Sequence, residues 1–385
     1  MRDAGFCSNC LFTENAVAPL RTNMHAGTLL IRSTSLQLLP FLYGKIAKEG
    51  LAVYNGRVPP TARPGGKTGM SIDPRNLVYA LRQNIRLVIV GKDEAIEQAL
   101  IAMLCKGHVL IEDVPGVGKT TLAGALAKSL NCSFKRIQFT PDVMPSDITG
   151  FTMVNINTGE MEYKPGAVNA QILLADEINR TSPKTQSSLL EVMEEGQVTV
   201  DGVTRELPRP FMVLATQNPI DFVGTYPLPE AQMDRFFLRI SIGYPSIEEE
   251  MDVLDRYSGQ ESPLKTLSPV CGAREVIAMQ EMVGTVYCSR EVRSYVATIA
   301  AHTRQNPALQ LGVSPRGAIA LVRAAQACAV LAGRDYILPD DVRRMALPVL
   351  SHRLVLTPEA RMKGYSAETL LQQLLDTLPV PGKLT

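Results

Sequence analysis

The chain has no apolar run long enough to cross a membrane, and its start, Met1-Arg-Asp-Ala-Gly-Phe6, lacks the apolar core of a signal peptide. It also lacks a disulfide framework. Its seven cysteines (Cys7, Cys10, Cys105, Cys132, Cys271, Cys288 and Cys328) are odd in number and scattered, which points to reduced thiols. Cys7 and Cys10 have the spacing of half a zinc site, but no second C-x-x-C and no paired histidines stand at a fitting distance, so no metal is expected there. Charge of one sign is missing too. A formal net charge of +1 argues against coating nucleic acid by bulk electrostatics, although a local basic patch stays compatible with it. These absences describe a soluble, cytoplasmic chain. At 385 residues and 45% hydrophobic it is long enough to bury one large core and a smaller one, so two or three domains are expected.

What is present centres on His108-Val-Leu-Ile-Glu-Asp-Val-Pro-Gly-Val-Gly-Lys-Thr-Thr121. Val109, Leu110 and Ile111 read as a strand covered on both faces. Pro115, Gly116, Val117 and Gly118 turn the chain so that successive backbone N–H groups face an anion, and Lys119 adds a positive charge. Thr120 and Thr121 open a helix in which Leu122, Leu126 and Leu130 recur every four residues, with Asn131 as its stop. A nucleoside triphosphate is the expected ligand, with Thr120 as the hydroxyl ligand of Mg2+. The first glycine of the usual phosphate-loop pattern is replaced by Asp113, a residue that tolerates a left-handed backbone and whose carboxylate must point away from the phosphates. A second glycine-rich stretch, Gly65-Gly-Lys-Thr68, has neither the strand before it nor the periodic helix after it.

Downstream, Ile172 to Ala175 form another buried strand, and Asp176-Glu177 emerge at its carboxyl end, where open α/β sheets place their ligands. Asp176 there can hold Mg2+ through water, and Glu177 can orient and polarise an attacking water; the bland alternative is a helix N-cap acid. Further strands are expected at Arg136–Phe139 and Phe211–Leu214, and hairpins around Asn157-Thr-Gly159 and Asp201-Gly202. Helices are expected at Asp93–Cys105, Thr185–Glu195, Glu248–Arg256, Ala273–Val286, Arg290–Thr303, Pro315–Ala332 and Pro339–Leu347. The fold class is therefore α/β, a parallel sheet covered by helices on both faces, followed by a small all-helical lid. Residues 70–243 are expected to form the nucleotide domain, 244–269 a linker and 270–385 the lid. Residues 1–69, with no clear period and a Pro/Gly/Arg-rich stretch, read as a disordered extension or an upstream start, with the functional chain beginning near Met70.

Six segments in order carry a resemblance. Glu112-Asp-Val-Pro-Gly-Val-Gly-Lys-Thr-Thr121, Gln138-Phe-Thr-Pro-Asp142, Leu173-Leu-Ala-Asp-Glu-Ile-Asn-Arg180, Ala215-Thr-Gln-Asn-Pro219, Leu228-Pro-Glu-Ala-Gln-Met-Asp-Arg-Phe236 and Val313-Ser-Pro-Arg316 resemble the MoxR family of AAA+ ATPases. The resemblance runs from about Ser71 to the end of the lid. It implies ATP and Mg2+ as cofactors and self-assembly into a hexameric ring. It further implies a chaperone-like role in maturing other protein complexes, often with a partner carrying a von Willebrand factor A domain. Asn218 resembles the polar sensor that helps to position the attacking water; an Asn-Pro turn closing a strand is the plainer reading. Arg235 resembles the arginine finger that reaches the γ-phosphate of a neighbouring subunit, the alternative being a surface Arg paired with Asp234. Arg316 follows the N-cap and first-turn pair Ser314-Pro315, where a helix dipole disfavours a cation unless an anion is near. That suits the sensor-2 arginine, which the resemblance sets by the nucleotide phosphates; a solvent-exposed, screened charge is the alternative. The two hairpins resemble inserts that often face a ring pore or a partner; ordinary sheet-edge decoration is an equal alternative. Motor subunits of metal chelatases and nucleic-acid-translocating ATPases share this architecture and are the alternative. A GTPase switch is disfavoured, because no Asn-Lys-x-Asp guanine motif occurs.

Overall fold

In the computed structural model the described residues are 73–218, 224–258 and 262–381. The expectations for residues 1–69, for Cys7 and Cys10, for the Gly65–Thr68 stretch and for Pro219 lie outside them. Residues Met70–Thr385 form one compact unit.

Nine strands concern the site: β1 (Val109–Glu112), β2 (Phe134–Gln138), β3 (Gly150–Val154), β4 (Met161–Pro165), β5 (Ile172–Asp176), β6 (Gln197–Val200), β7 (Val203–Glu206), β8 (Met212–Gln217) and β9 (Leu238–Ile240). Five of them make a parallel sheet in the order β2-β5-β8-β1-β9, while β3-β4 and β6-β7 are antiparallel hairpins. Because side chains alternate along a strand, the two faces of the sheet fill two separate cores. Val109, Ile111, Ile172, Leu174, Met212 and Leu214 point into one, and Leu110, Leu173, Ala175, Val213 and Ala215 into the other. The second core is closed by the helix Pro183–Glu195, through Leu189, Leu190 and Met193. The first runs without a break from the sheet into the helices of the C-terminal region, joining Ile96 and Leu100 to Met279, Leu321 and Val342.

The expected helices are present with small shifts of boundary: Asp93–Leu104, Ile247–Tyr257, Ala273–Thr285, Arg290–Gln305, Pro315–Leu331 and Pro339–Leu350. Several short elements have no counterpart in the sequence expectations, and three further ones bear on the packing. The helix Pro74–Arg86 is started by Asp73, whose side chain caps Arg75 N, and it buries Val78, Leu81 and Ile85. The three-residue β9 is too short to show a period, and Ala367–Thr377 closes the C-terminal region. The strand expected at Phe211–Leu214 runs on to Gln217, because its partner β1 continues to Glu112 and pairs with it there. Among the described residues no helix is long and apolar enough to cross a membrane.

Candidate nucleotide site

The phosphate loop follows β1 at the carboxyl end of the sheet. Gly116 and Gly118 take φ of +89° and +91°, and a Cβ on either would meet nothing within 4 Å. Their backbone therefore borders open space, as a cradle for an anion requires. Gly118 is the N-cap of the 11-residue helix Lys119–Ser129 and offers no side-chain cap, so the first N–H groups of that helix are left for a ligand. Lys119 Nζ bends back to the carbonyl oxygens of Asp113 and, at 3.4 Å, Gln217. Burial lowers its pKa, and the carboxylates of Asp113, Asp176 and Glu177 work in the opposite direction. Thr120 is exposed beside it. Gly116, Val117, Gly118 and Thr121 line a cavity of about 320 Å³, with Val88 and Tyr257 on its apolar side.

Asp113 does not take the left-handed conformation expected of it; in this loop that role falls to Gly116 and Gly118. Its carboxylate does point away from the loop. Oδ2 accepts from Ser241 Oγ at 3.0 Å, Ile242 N at 2.6 Å and Gly243 N at 2.7 Å, and Oδ1 accepts from Val114 N at 3.0 Å. A glycine would have given the turn freedom. Aspartate instead ties the loop to the chain that leaves β9, and only 8% of it stays exposed.

Asp176 ends β5, opposite Gln138 in the register of β2. Its Oδ1 accepts from Thr216 Oγ1 at 2.6 Å, and its Oδ2 pairs with Arg136 Nη2 at 2.7 Å. The same Thr216 Oγ1 accepts from the Glu177 backbone N–H at 2.9 Å, so one hydroxyl fixes both acids. Glu177 is held at φ +57°, a conformation rare outside glycine and common at functional sites. Its carboxylate accepts from Gln138 Nε2 at 2.7 Å and pairs with Arg180 Nε at 3.0 Å. Asn218 is buried directly after β8. Thr216, Gln138, Arg136 and Arg180 are not singled out by the sequence, although Thr216, Gln138 and Arg180 lie inside the quoted motifs.

The residues fit ATP and Mg2+. The loop amides and Lys119 suit phosphate oxygens, and Thr120 and Asp176 could hold the cation. No three His, Cys, Asp or Glu side chains converge on a metal position among the described residues. Mg2+ needs no such group, because it keeps waters and takes phosphate oxygens, with one or two protein ligands.

The two remaining candidates lie elsewhere. Arg235 Nη2 pairs with Glu194 Oε2 at 3.3 Å and Arg316 Nη1 with Glu194 Oε1 at 2.9 Å. The anion beside Arg316 is thus a carboxylate of its own chain. Both arginines line a cavity of about 250 Å³ with Lys106, His108, Glu194 and Arg353, and none of these lines the phosphate-loop cavity. His108 precedes β1 whereas the phosphate loop follows it, and the Phe237 N–H bonds to the His108 carbonyl. At a rise of about 3.3 Å per residue, the two cavities are separated by roughly 13 Å of strand. Arg316, expected by the phosphates, stands within its own chain at the far end of the sheet. His108 itself is buried between layers: its Nδ1 accepts from Val213 N at 3.0 Å, so Nε2 carries the proton toward Met193 O at 2.9 Å. Burial pushes its pKa down to about 4.

Comparison with known proteins places this geometry. The ATPase family associated with various cellular activities (AAA) is matched over residues 108–238. The AAA lid domain is matched over 301–374. The chain is 52% identical to YeaC of Bacillus subtilis over 78% of its length and 93% of that protein. It is 39% identical to the chaperone MoxR1 of Mycobacterium tuberculosis over 83% of its length and 86% of that protein. A crystal structure from Cytophaga hutchinsonii superposes with a TM-score of 0.75 at 37% identity, covering 80% of this chain and 96% of that one. With its phosphate loop, acidic pair, parallel sheet and lid in the family's order, the chain belongs to the MoxR family of AAA+ ATPases.

Proposed function

We propose that the protein is a cytoplasmic, Mg2+-dependent ATPase that works as a self-assembled ring and remodels other protein complexes. Residues 70–243 carry the nucleotide, 270–385 form the lid and 244–269 link them. One observation carries the reading: Lys119, Asp176 and Glu177 stand at one end of the sheet and Arg235 and Arg316 at the other, so a complete site needs a second copy. Bound ATP supplies the phosphoryl group and Mg2+ neutralises charge on it. Lys119 and the loop amides hold the phosphates, Thr120 and Asp176 hold the cation, and Glu177 with Asn218 orients the water. Arg235 and Arg316 of the next copy stabilise the charge that develops on the phosphoryl oxygens. Six subunits are the ring size that the family resemblance implies.

An apolar stripe supports assembly on the nucleotide side. Ile247, Met251 and Leu254, spaced along one face of the helix Ile247–Tyr257, are exposed, and that helix borders the phosphate-loop cavity through Val253 and Tyr257. The hairpins support the remodelling role. Phe151, Met153, Val154 and Met161 of β3-β4, Ile156 in its turn and Val203 of β6-β7 are exposed apolar side chains, suited to gripping a client or a von Willebrand factor A domain partner. The test is hydrolysis per subunit against protein concentration, read with the mass in solution. Turnover should rise with assembly. A constant rate per subunit, down to concentrations at which only monomer is present, would remove the shared site.

A further inference from the structure

We propose that Arg353 is a positioning residue that sets Arg235 and Arg316 as one rigid pair facing the neighbouring copy. The inference rests on the shared-site reading above and adds to it a part of the machinery outside both motifs. Arg353 lies in the C-terminal region with only 3% of its side chain exposed. A guanidinium is buried at such depth only where its donors are used. Its Nε donates to Asp234 Oδ1 at 2.7 Å, Nη2 to Phe236 O at 2.6 Å and Asp234 O at 3.3 Å, and Nη1 to Phe237 O at 3.3 Å and to Val349 O. Those on Asp234, Phe236 and Phe237 flank Arg235 on both sides. The carboxylate of Asp234 also accepts from Ser314 Oγ, with its Oδ2 at 3.0 Å, and Ser314 caps the helix that presents Arg316. One buried cation thus fixes the turn that carries Arg235 and, through Asp234, the helix start that carries Arg316. His352 adds a second grip, its Nε2 bonding to Phe236 O at 3.1 Å. Gly317 leaves the space: a Cβ there would lie 2.8 Å from Arg353 Cδ and 3.0 Å from Val313 Cγ1.

A salt bridge that merely joins lid to core would predict loss of stability alone. Positioning predicts a defect in the neighbour's site. Arg353→Lys keeps the charge but cannot reach all five acceptors, so turnover should fall on the order of 100-fold, as misplacement of a catalytic group by about 1 Å does. Nucleotide affinity and assembled mass should stay near the wild type, while the melting temperature falls because buried acceptors lose their donors. Mixing Arg353→Lys with Lys119→Ala subunits, whose arginines are intact, should restore hydrolysis, because each repaired site takes its loop from one variant and its arginines from the other. Should Arg353→Lys not fold, Gly317→Ala presses on the same side chain without changing charge and is read in the same way. Arg235→Ala is run alongside. If Arg235→Ala keeps full turnover, the shared-site reading falls. If Arg235→Ala loses turnover while Arg353→Lys keeps it, or if mixing restores nothing, the positioning role of Arg353 is wrong.

Discussion

The two ends of the central sheet are built by different means. At the carboxyl end the phosphate cradle is largely backbone: two left-handed glycines, a helix N-terminus and an acid at φ +57° lie within short stretches that follow β1 and β5. At the amino end the site is made of side chains brought together over long sequence distances. Glu194 meets Arg316 across 122 residues, and Arg353 meets Asp234 across 119. The arginine end depends on how the C-terminal region packs, through Ser314 and Arg353. A shift of the C-terminal region would act on the arginine end directly and on the carboxyl end through Arg239, which bonds both Glu112 of β1 and Ser351.

Substitutions can break the comparison in order of size. Lys119→Ala acts on the carboxyl end of its own subunit and should take nucleotide binding below what titration calorimetry detects; equal affinity in the two proteins would contradict the site. Arg235→Ala should leave binding intact and lower turnover of the assembled protein about 1,000-fold, the scale of an arginine supplied in trans. Unchanged turnover would remove it from the mechanism. Glu177→Gln should bind ATP and lose about 100-fold in turnover, the scale of a general base. Steady hydrolysis in that variant would assign the water to another group.

The smallest effect separates the ends by pH. The buried His108 has a pKa of about 4, below the ordinary 6.5, so the unfolded chain binds its proton more readily than the folded one. The stability that rests on its neutral form is complete above pH 6.5 and is lost as the pH falls toward 4. His108→Gln should flatten the acid limb of the melting temperature, and an unchanged slope between those values would show that other groups carry it.

How much was legible follows from the same division. Lys119, Thr120, Asp176 and Glu177 could be named because strand, turn and helix signals are adjacent in sequence. The replacement of glycine by Asp113 was legible as a departure but not in its purpose, since Ser241 to Gly243 are far from it in the chain. Thr216 and Gln138 passed unremarked because a hydroxyl and an amide in strands carry no local signal; the parallel register of β2, β5 and β8 brings them to the acids. Arg316 was recognised by its cap. Its partner Glu194, and hence the end of the sheet it occupies, is fixed by tertiary packing that no period records. The helix Pro74–Arg86 had a readable start in Asp73-Pro74, whereas β9 had too few residues to show any alternation.

On the proposed reading each site joins the carboxyl end of one sheet to the arginine end of another. The most direct measurement mixes Arg235→Ala with Glu177→Gln, each strongly impaired alone, and follows ATP hydrolysis against their ratio in assembled protein. Activity should appear in the mixture and peak at intermediate ratios, where a loop with an intact Glu177 meets a neighbour with an intact Arg235. A mixture that assembles into common rings and stays inactive at every ratio would contradict the account.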